Sequence, residues 1–171
     1  MKGYIQVYTG NGKGKTTAAF GLALRAVGAG KKVFIAQFVK GLEYSEIKAV
    51  EQFLPAVTLR QYGLGCFIVK SPTDEDIKCA KEGLNEVAEI ILSDKYDIII
   101  LDEANIAIHY NLFSAEDLIQ AISPKSEKTE IVITGRYACQ QIIDIADLVT
   151  EMKEVKHYYQ KGVEARVGIE K

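Results

Sequence analysis

Apolar residues along the chain form short continuous runs that alternate with longer stretches of helical spacing. Continuous apolar runs are typical of strands buried on both faces of a parallel sheet. In the first long stretch, Phe20, Ala23, Leu24 and Val27 recur at the spacing of one helix face. The predicted strands are 4–8, 33–38, 57–61, 98–101, 131–134 and 147–152. The predicted helices are 15–29, 43–53, 72–93, 112–122 and 138–145.

Strands that alternate with helices in this way predict an α/β fold, with a mostly parallel central sheet and helices on both faces. The chain has 171 residues and no internal repeat or linker, so we expect a single domain over 1–171. We expect 147–152 to be a central strand, and Ser71 to cap a helix whose first residue is Pro72. The alternating tail from Val163 is interpreted either as an edge strand or as a flap over a site.

Composition narrows the functional classes. The formal net charge is −2, which gives no support to binding of nucleic acid or of an anionic membrane. No apolar run approaches the ~20 residues that span a bilayer, and the first residues lead directly into a strand, so we expect a cytoplasmic protein. The cysteines lack metal or disulfide spacing, and Cys79 and Cys139 are predicted to be small buried residues.

The segment between the first predicted strand and helix is rich in glycine and lysine. It reads Thr9-Gly10-Asn11-Gly12-Lys13-Gly14-Lys15-Thr16-Thr17. Glycines allow several backbone N–H groups to face one concavity, and the following helix adds the positive end of its dipole. Lys15 adds a full positive charge, and the Thr16 hydroxyl suits Mg²⁺. The segment therefore predicts a phosphate-binding loop for a nucleoside triphosphate.

This loop departs from the usual pattern at its first position. The common motif has glycine five residues before the glycine of Gly14-Lys15-Thr16, where this chain has Thr9 followed by Gly10. The loop is therefore effectively one residue tighter. Because a tighter cradle can hold phosphates differently, ordinary hydrolysis of the terminal phosphate is not assumed.

Polar residues follow the other predicted strands where each apolar run ends. Gln37 and Phe38 end the second strand, and Asp102 and Glu103 follow the fourth. The carboxyl ends of parallel strands meet at one edge of a sheet, where ligands bind. With Thr16, the two carboxylates predict a Mg²⁺ site, and the sequence leaves open which of them contacts the metal directly.

Two arginines are candidates for contact with phosphate. Arg136 follows the fifth strand and Gly135, and its planar guanidinium can bond two oxygens at once. Arg25 lies on the first helix, where it could either reach a triphosphate or pair with a surface acid. His109 and His157 are interpreted as structural or solvated side chains, with a place beside the site as the alternative for His109.

The order of these motifs resembles that of the phosphate-loop type of ATP:corrinoid adenosyltransferases. The resemblance covers nearly the whole chain. It rests on 9–17, 37–41, 101–103, 134–136 and 146–152, and on Lys156-His157, Gly162-Val163 and 168–170 near the end. It implies a fold like that of phosphate-loop nucleotide hydrolases.

The resemblance also implies a reaction, transfer of the 5′-deoxyadenosyl group of ATP to a corrinoid whose cobalt is Co(I). Triphosphate is the leaving group, and ATP lies reversed relative to ordinary phosphate-loop enzymes. Because Co(I) is the nucleophile, no activated side chain is needed. Lys15, Lys13 and Arg136 become the candidate catalytic residues. A homodimer, a reductant or flavoprotein that supplies Co(I), and a role in adenosylcobalamin biosynthesis or salvage are implied as well.

The segment 62–68 is the candidate wall that replaces the lower axial ligand of cobalt. Some members of the family carry phenylalanine and tryptophan here, whereas this chain has Cys66 and Phe67 and contains no tryptophan. Phe67 is the candidate for displacing the ligand, and Cys66 the candidate for facing the corrin. A packed loop with ordinary core roles is the alternative.

Two other functional classes fit the phosphate-binding loop. A small-molecule kinase would use the same loop to transfer phosphate and would yield a nucleoside diphosphate. A regulatory module that binds protein or nucleic acid would need a basic groove, which the net charge of −2 does not favour.

Overall fold

The structure is a computed structural model that describes residues 2–42, 44–65 and 71–171. Its strands are β1 Ile5–Thr9, β2 Val33–Phe38, β3 Val57–Tyr62, β4 Ile98–Asp102, β5 Glu130–Thr134 and β6 Leu148–Glu151. Its α-helices are α1 Lys15–Gly28, α2 Ser45–Phe53, α3 Asp74–Leu92, α4 Ala104–His109, α5 Ala115–Ile122 and α6 Gln140–Asp144. A 3₁₀ helix follows at Tyr158–Lys161.

The six strands form one parallel sheet in the order β3-β2-β4-β5-β1-β6. Successive side chains of β2 point to opposite faces, as a pleated strand requires. Val33 and Ile35 belong to a core cluster that includes alanines of α1 and Val50 of α2. Phe34 and Ala36 belong to a second cluster with residues of α3 to α6. The predicted α/β fold with helices on both faces is therefore confirmed.

The order of strands in the sheet places the carboxyl ends of β2, β4, β5 and β1 side by side at one edge. β1 pairs with β5 through Ile5 and Ile131, and with β6 through Gln6 and Leu148. β2 pairs with β4 from Val33 to Gln37. The segments that follow these strands therefore meet above the sheet, where ligands of open α/β sheets bind.

The prediction of a central strand at 147–152 is wrong. β6 is an edge strand, and all its residues are exposed, with 49% of Leu148 and 41% of Val149 accessible. The apolar pair suggested burial on both faces, but one side of β6 has no strand beside it among the described residues. Polar Thr150 and Glu151 are consistent with this exposed position.

The predicted start of α3 is also wrong. The cap is Thr73, whose hydroxyl accepts a hydrogen bond from the Asp76 backbone, while the Asp76 carboxylate accepts one from the Thr73 backbone. The sequence offers two overlapping capping boxes, and the structure uses the one that begins two residues after Ser71.

The other helices also differ from the prediction in part. The short helix α4 was not predicted, because six residues carry little periodicity. The helix predicted from Leu112 begins at Ala115, and Ser114 caps it by accepting a hydrogen bond from the Asp117 N–H. Cys79 and Cys139 are free thiols that pack, partly buried, against the core.

Candidate active site

The phosphate-binding loop, residues 10–14, connects β1 to α1. Gly10 and Gly14 have φ of 93° and 119°, a region that glycine enters without strain. The loop also lies against the segment after β6. The Gly12 N–H donates to the Met152 carbonyl at 2.7 Å, and a Cβ at Gly10 would lie 2.4 Å from the same oxygen. Met152 therefore sets how tightly the loop curves, a contact that the sequence did not predict.

The side chain of Lys15, the first residue of α1, folds back onto this loop. Its ammonium Nζ donates to the carbonyls of Gly10 and Gly12 at 2.7 and 2.8 Å, and the side chain is 7% exposed. Burial lowers the pKa of Lys15, although Glu103 partly offsets this. α1 begins at Lys15 with Gly14 as its cap and with no acidic residue in its first turn. The loop therefore combines a buried ammonium with an uncompensated helix N-terminus, which suits a phosphate chain.

Asp102, at the end of β4, is the centre of a buried hydrogen-bond network. Its Oδ1 accepts from the hydroxyls of Thr16 at 2.9 Å and Thr134 at 2.7 Å. Its Oδ2 accepts from Lys40 Nζ at 2.8 Å and Gln37 Nε2 at 3.0 Å. Burial alone would raise the pKa of Asp102, but the charge of Lys40 and these hydrogen bonds hold it below the usual range. Asp102 is therefore an ionised carboxylate with no exposed surface.

Glu103 differs from its neighbour, because it faces the cavity above the loop. Its backbone has φ of 59° at the position that caps α4, and its N–H donates to Thr134 Oγ1 at 3.0 Å. Burial and the nearby charge of Asp102 raise the pKa of the Glu103 carboxyl. A cation bound at this carboxylate would relieve both effects.

Arg136, which follows β5, lines the same cavity as Glu103. The chain turns at Gly135, with φ of 127°, and the Gly135 N–H donates to the Tyr8 carbonyl at 3.2 Å. A Cβ at Gly135 would lie 3.0 Å from Asn105 Cβ, so α4 packs directly beneath this turn. The Arg136 side chain is exposed and lines the cavity, and its recognition of an anion stays a prediction.

The tail of the chain lies over the loop. Lys13 Nζ is 2.7 Å from Glu170 Oε1 and 2.9 Å from the Tyr158 hydroxyl. Arg166 bonds the same carboxylate, with Nη2 3.1 Å from Oε1. The described tail after Val163 forms turns and no strand, so the edge-strand alternative is wrong. The contact with Lys13 fits the other alternative, a segment that covers the site.

These segments enclose a cavity of about 660 Å³. Its volume lies in the range of small-molecule sites. Charged residues of both signs line it, and aromatic residues contribute apolar surface. Among the lining residues are Lys15, Lys40, Glu103, Tyr110, Arg136 and His157.

Some predicted site residues lie elsewhere. Phe38 has no exposed surface, and its ring packs between Tyr62 and Phe113 in the core. Arg25 is exposed in the last turn of α1 and is not among the cavity-lining residues of the described chain. Cys66 and Phe67 are outside the described residues.

The remaining loop residues and the two histidines differ in their positions relative to the cavity. Thr9 Oγ1 accepts a hydrogen bond from the Ala138 N–H at 3.3 Å, which ties the tight loop to the segment after β5. Asn11 is exposed, and Thr17 lines the cavity. The ring of His109 packs on Tyr137 with centroids 4.3 Å apart, and His109 is not among the described residues that line the cavity. His157, interpreted from the sequence as structural or solvated, does line it.

Within the described ranges, no three His, Cys, Asp or Glu side chains gather closely enough to hold a metal alone. An ion at Thr16 and Glu103 would therefore need further oxygens from a ligand. No described helix combines the length and the apolar character that crossing a bilayer requires.

Comparison with known proteins points to one family. The family model described as ATP:corrinoid adenosyltransferase BtuR/CobO/CobP matches residues 1–170. A corrinoid adenosyltransferase of Escherichia coli K12 is 35% identical over 170 residues, which cover 99% of this chain and 86% of the relative. The corrinoid adenosyltransferase CobA of Salmonella typhimurium is 37% identical over 171 residues, with the same two coverages. The match spans β1 to the tail, and the chain belongs to the ATP:corrinoid adenosyltransferase family.

Proposed function

We propose that this protein transfers the 5′-deoxyadenosyl group of ATP to the Co(I) of a corrinoid and releases triphosphate. The observation that carries the proposal is the phosphate cradle around Lys15, on a chain that matches this family over residues 1–170. Kinase chemistry, the alternative that the loop alone allows, has no support from the relatives.

The reaction is a substitution at the 5′ carbon of ATP. The electron pair of Co(I) forms the Co–C bond while the bond from C5′ to the triphosphate oxygen breaks. The cobalt becomes formally Co(III), and triphosphate departs with the bonding electrons. Because the substrate cobalt supplies the nucleophile, the protein must position the reacting carbon and stabilise the leaving group.

Stabilisation of the leaving group is the task of the loop. The ammonium of Lys15 and the first N–H groups of α1 face the concavity. Lys13 and Arg136 stand at its rim and add charges toward a departing polyanion. Such contacts strengthen as negative charge develops on the triphosphate, and this difference lowers the barrier.

The oxygen donors present also suit Mg²⁺. Thr16 Oγ1 and the Glu103 carboxylate both line the cavity beside Lys15. Mg²⁺ commonly takes only one or two protein oxygens and completes its shell with phosphate and water. When bound, it would neutralise charge on the triphosphate. Because the Asp102 oxygens already accept four hydrogen bonds, we assign the direct contact to Glu103 and the supporting role to Asp102.

The residues proposed to contact the corrinoid lie outside the described part of the chain. We keep Phe67 and Cys66 as the candidate residues at the lower face of the corrin. A homodimer, a cytoplasmic location and an electron donor that supplies Co(I) complete the proposal on the strength of the family. Sedimentation of the purified protein tests the dimer, and the dependence of turnover on an added flavoprotein tests the donor.

A product assay tests the function. The protein is mixed with ATP, Mg²⁺ and cobalamin or cobinamide held as Co(I) by a chemical reductant. We expect a light-sensitive Co–C product and triphosphate in equal amounts. Formation of ADP and phosphate without an alkylated corrinoid would contradict the proposal and favour a kinase or hydrolase.

A further inference from the structure

Lys40, which lies just after β2, has no part in the reaction proposed above. Lys40 Nζ lies 2.8 Å from Asp102 Oδ2 and 3.2 Å from Thr16 Oγ1. The side chain is 13% exposed, and Asp102 is completely buried. The ring of Tyr44 covers the ammonium, with its centroid 6.0 Å away. An enclosed cation therefore contacts both the hydroxyl and the carboxylate of the predicted metal site.

The backbone is strained where it directs Lys40 toward this place. Val39 has φ of 64°, a left-handed conformation that is strained for a β-branched residue. The turn at Val39 follows the end of β2 and precedes Lys40. Such strain persists where the surrounding structure requires a particular geometry, so the placement of Lys40 is more than incidental.

Charge balance explains what this cation does without a nucleotide. Asp102 has no exposed surface, and its carboxylate lies 2.8 Å from the Lys40 ammonium. An unpaired carboxylate in such a place is costly, so the ammonium is its counter-ion. Lys40 and Lys15 together offset the two carboxylates. These four groups therefore leave no excess negative charge to attract a divalent ion.

The same oxygens serve the ammonium and a metal. Thr16 Oγ1 donates to Asp102 and accepts from Lys40, so one of its lone pairs is already engaged. We propose that Lys40 is the resident counter-ion of the Thr16–Asp102 pair, which keeps divalent cations out until a triphosphate brings excess negative charge. Metal and nucleotide then bind with positive coupling, and each raises the affinity of the other. In this role Lys40 touches no reacting atom and acts through the oxygens of Thr16 and Asp102.

Only one part of this inference, the coupled binding of metal and nucleotide, rests on the proposed function. The exclusion of metal from the nucleotide-free protein is measured without ATP, corrinoid or turnover. A failed adenosylation assay would therefore leave this measurement intact, and the reverse also holds.

The experiment is a titration of the nucleotide-free protein with Mn²⁺, with free Mn²⁺ read from its electron paramagnetic resonance signal. The variants are Lys40→Met, Lys40→Arg and the control Lys32→Met, an exposed lysine that precedes the same strand. We expect Lys40→Met to bind Mn²⁺ at least about tenfold more tightly than the wild type, because the buried carboxylate then lacks its cation. Lys40→Arg keeps the charge and should resemble the wild type, as should Lys32→Met.

Equal or weaker Mn²⁺ binding by Lys40→Met would overturn the proposal. Because an unpaired Asp102 destabilises the fold, thermal unfolding is measured with and without Mn²⁺. Mn²⁺ should then raise the melting temperature of Lys40→Met more than that of the wild type, or restore its folding. Absence of any such rescue overturns the proposal too. The double variant Lys40→Met/Asp102→Asn removes both charges, and its affinity for Mn²⁺ should not exceed that of the wild type.

Discussion

The ammonium of Lys13 lies 2.7 Å from the carboxylate of Glu170, so an ion pair joins the phosphate-binding loop to the tail that covers it. Hydrogen bonds from Arg166, Lys13 and Tyr158 hold the pKa of Glu170 far below its usual range. The tail is therefore anchored by charge, on the residue that we expect to face the triphosphate. We therefore expect nucleotide and Glu170 to compete for the same ammonium.

Replacing Glu170 by Gln should therefore tighten ATP binding. Exposed ion pairs contribute little, so we expect a decrease in Kd of at most about fivefold. Calorimetric titration measures it, and the gain should shrink at high salt. Glu164→Gln, on an exposed residue of the same tail, is the control. Weaker binding by the Glu170 variant would mean that the tail holds the nucleotide rather than competing with it.

Replacing Lys15 by Met should abolish ATP binding while the fold remains. The buried ammonium supplies charge where the phosphates lie, and we expect a loss of at least about a hundredfold in affinity, or 2.7 kcal/mol. Burial disfavours this charge in the free protein, so the melting temperature should change little. Lys13→Met, at a more exposed lysine already paired with Glu170, should lose less. Wild-type affinity in Lys15→Met would show that the cradle is not the phosphate site.

Two glycines in helices should respond oppositely to alanine. A Cβ at Gly83 of α3 would lie 2.3 Å from Cγ of Tyr62, which is 8% exposed, so Gly83→Ala should cost about 1–3 kcal/mol. Gly21 of α1 has nothing within 4 Å of that position, and Gly21→Ala should stabilise by up to about 1 kcal/mol. Urea unfolding measures both. Equal effects would mean that α3 does not approach β3 this closely.

Tyr62 should make stability depend on alkaline pH. Burial raises its pKa from 10.0 to about 12. Because the folded pKa exceeds the unfolded one, the contribution is complete below pH 10 and is lost as pH rises through 12. Wild type should lose about 2 kcal/mol more than Tyr62→Phe over this interval. The variant also lacks the hydrogen bond from the Tyr62 hydroxyl to Glu86, which changes its free energy of unfolding by an amount that does not vary with pH below pH 10. Parallel curves in urea unfolding would contradict this.

The sheet was predictable because its buried strands are continuous apolar runs. β2 has the predicted bounds, and β4 and β5 each differ by one residue at one end. The edge position of β6 was not predictable from its own residues, since an apolar pair looks alike at the centre and at the edge of a sheet. Pairing is decided by segments far away in the chain.

The site was predictable where its residues end strands. Gln37 and Asp102 meet because the carboxyl ends of their parallel strands are adjacent, and Thr16 joins them from the first turn of α1, after the loop that follows β1. Lys40 and Thr134 lie at or just after strand ends too, but the direction of their side chains could not be predicted from local sequence. The contact of Glu170 with Lys13 spans 157 positions, and no local pattern encodes a contact of that range.

The place of β1 between β5 and β6 also governs when the active site forms during synthesis. Of the six described strands, β1 comes first along the chain, and its partners within the described sheet are β5 and β6, which are synthesised after the other strands. Contacts over such sequence distances form slowly, and a nascent chain must wait for them with β1 unpaired. We expect loop 10–14 to stay open to protease in stalled chains until residue 152 has left the exit tunnel. Early protection would show that the loop acquires its shape without Met152.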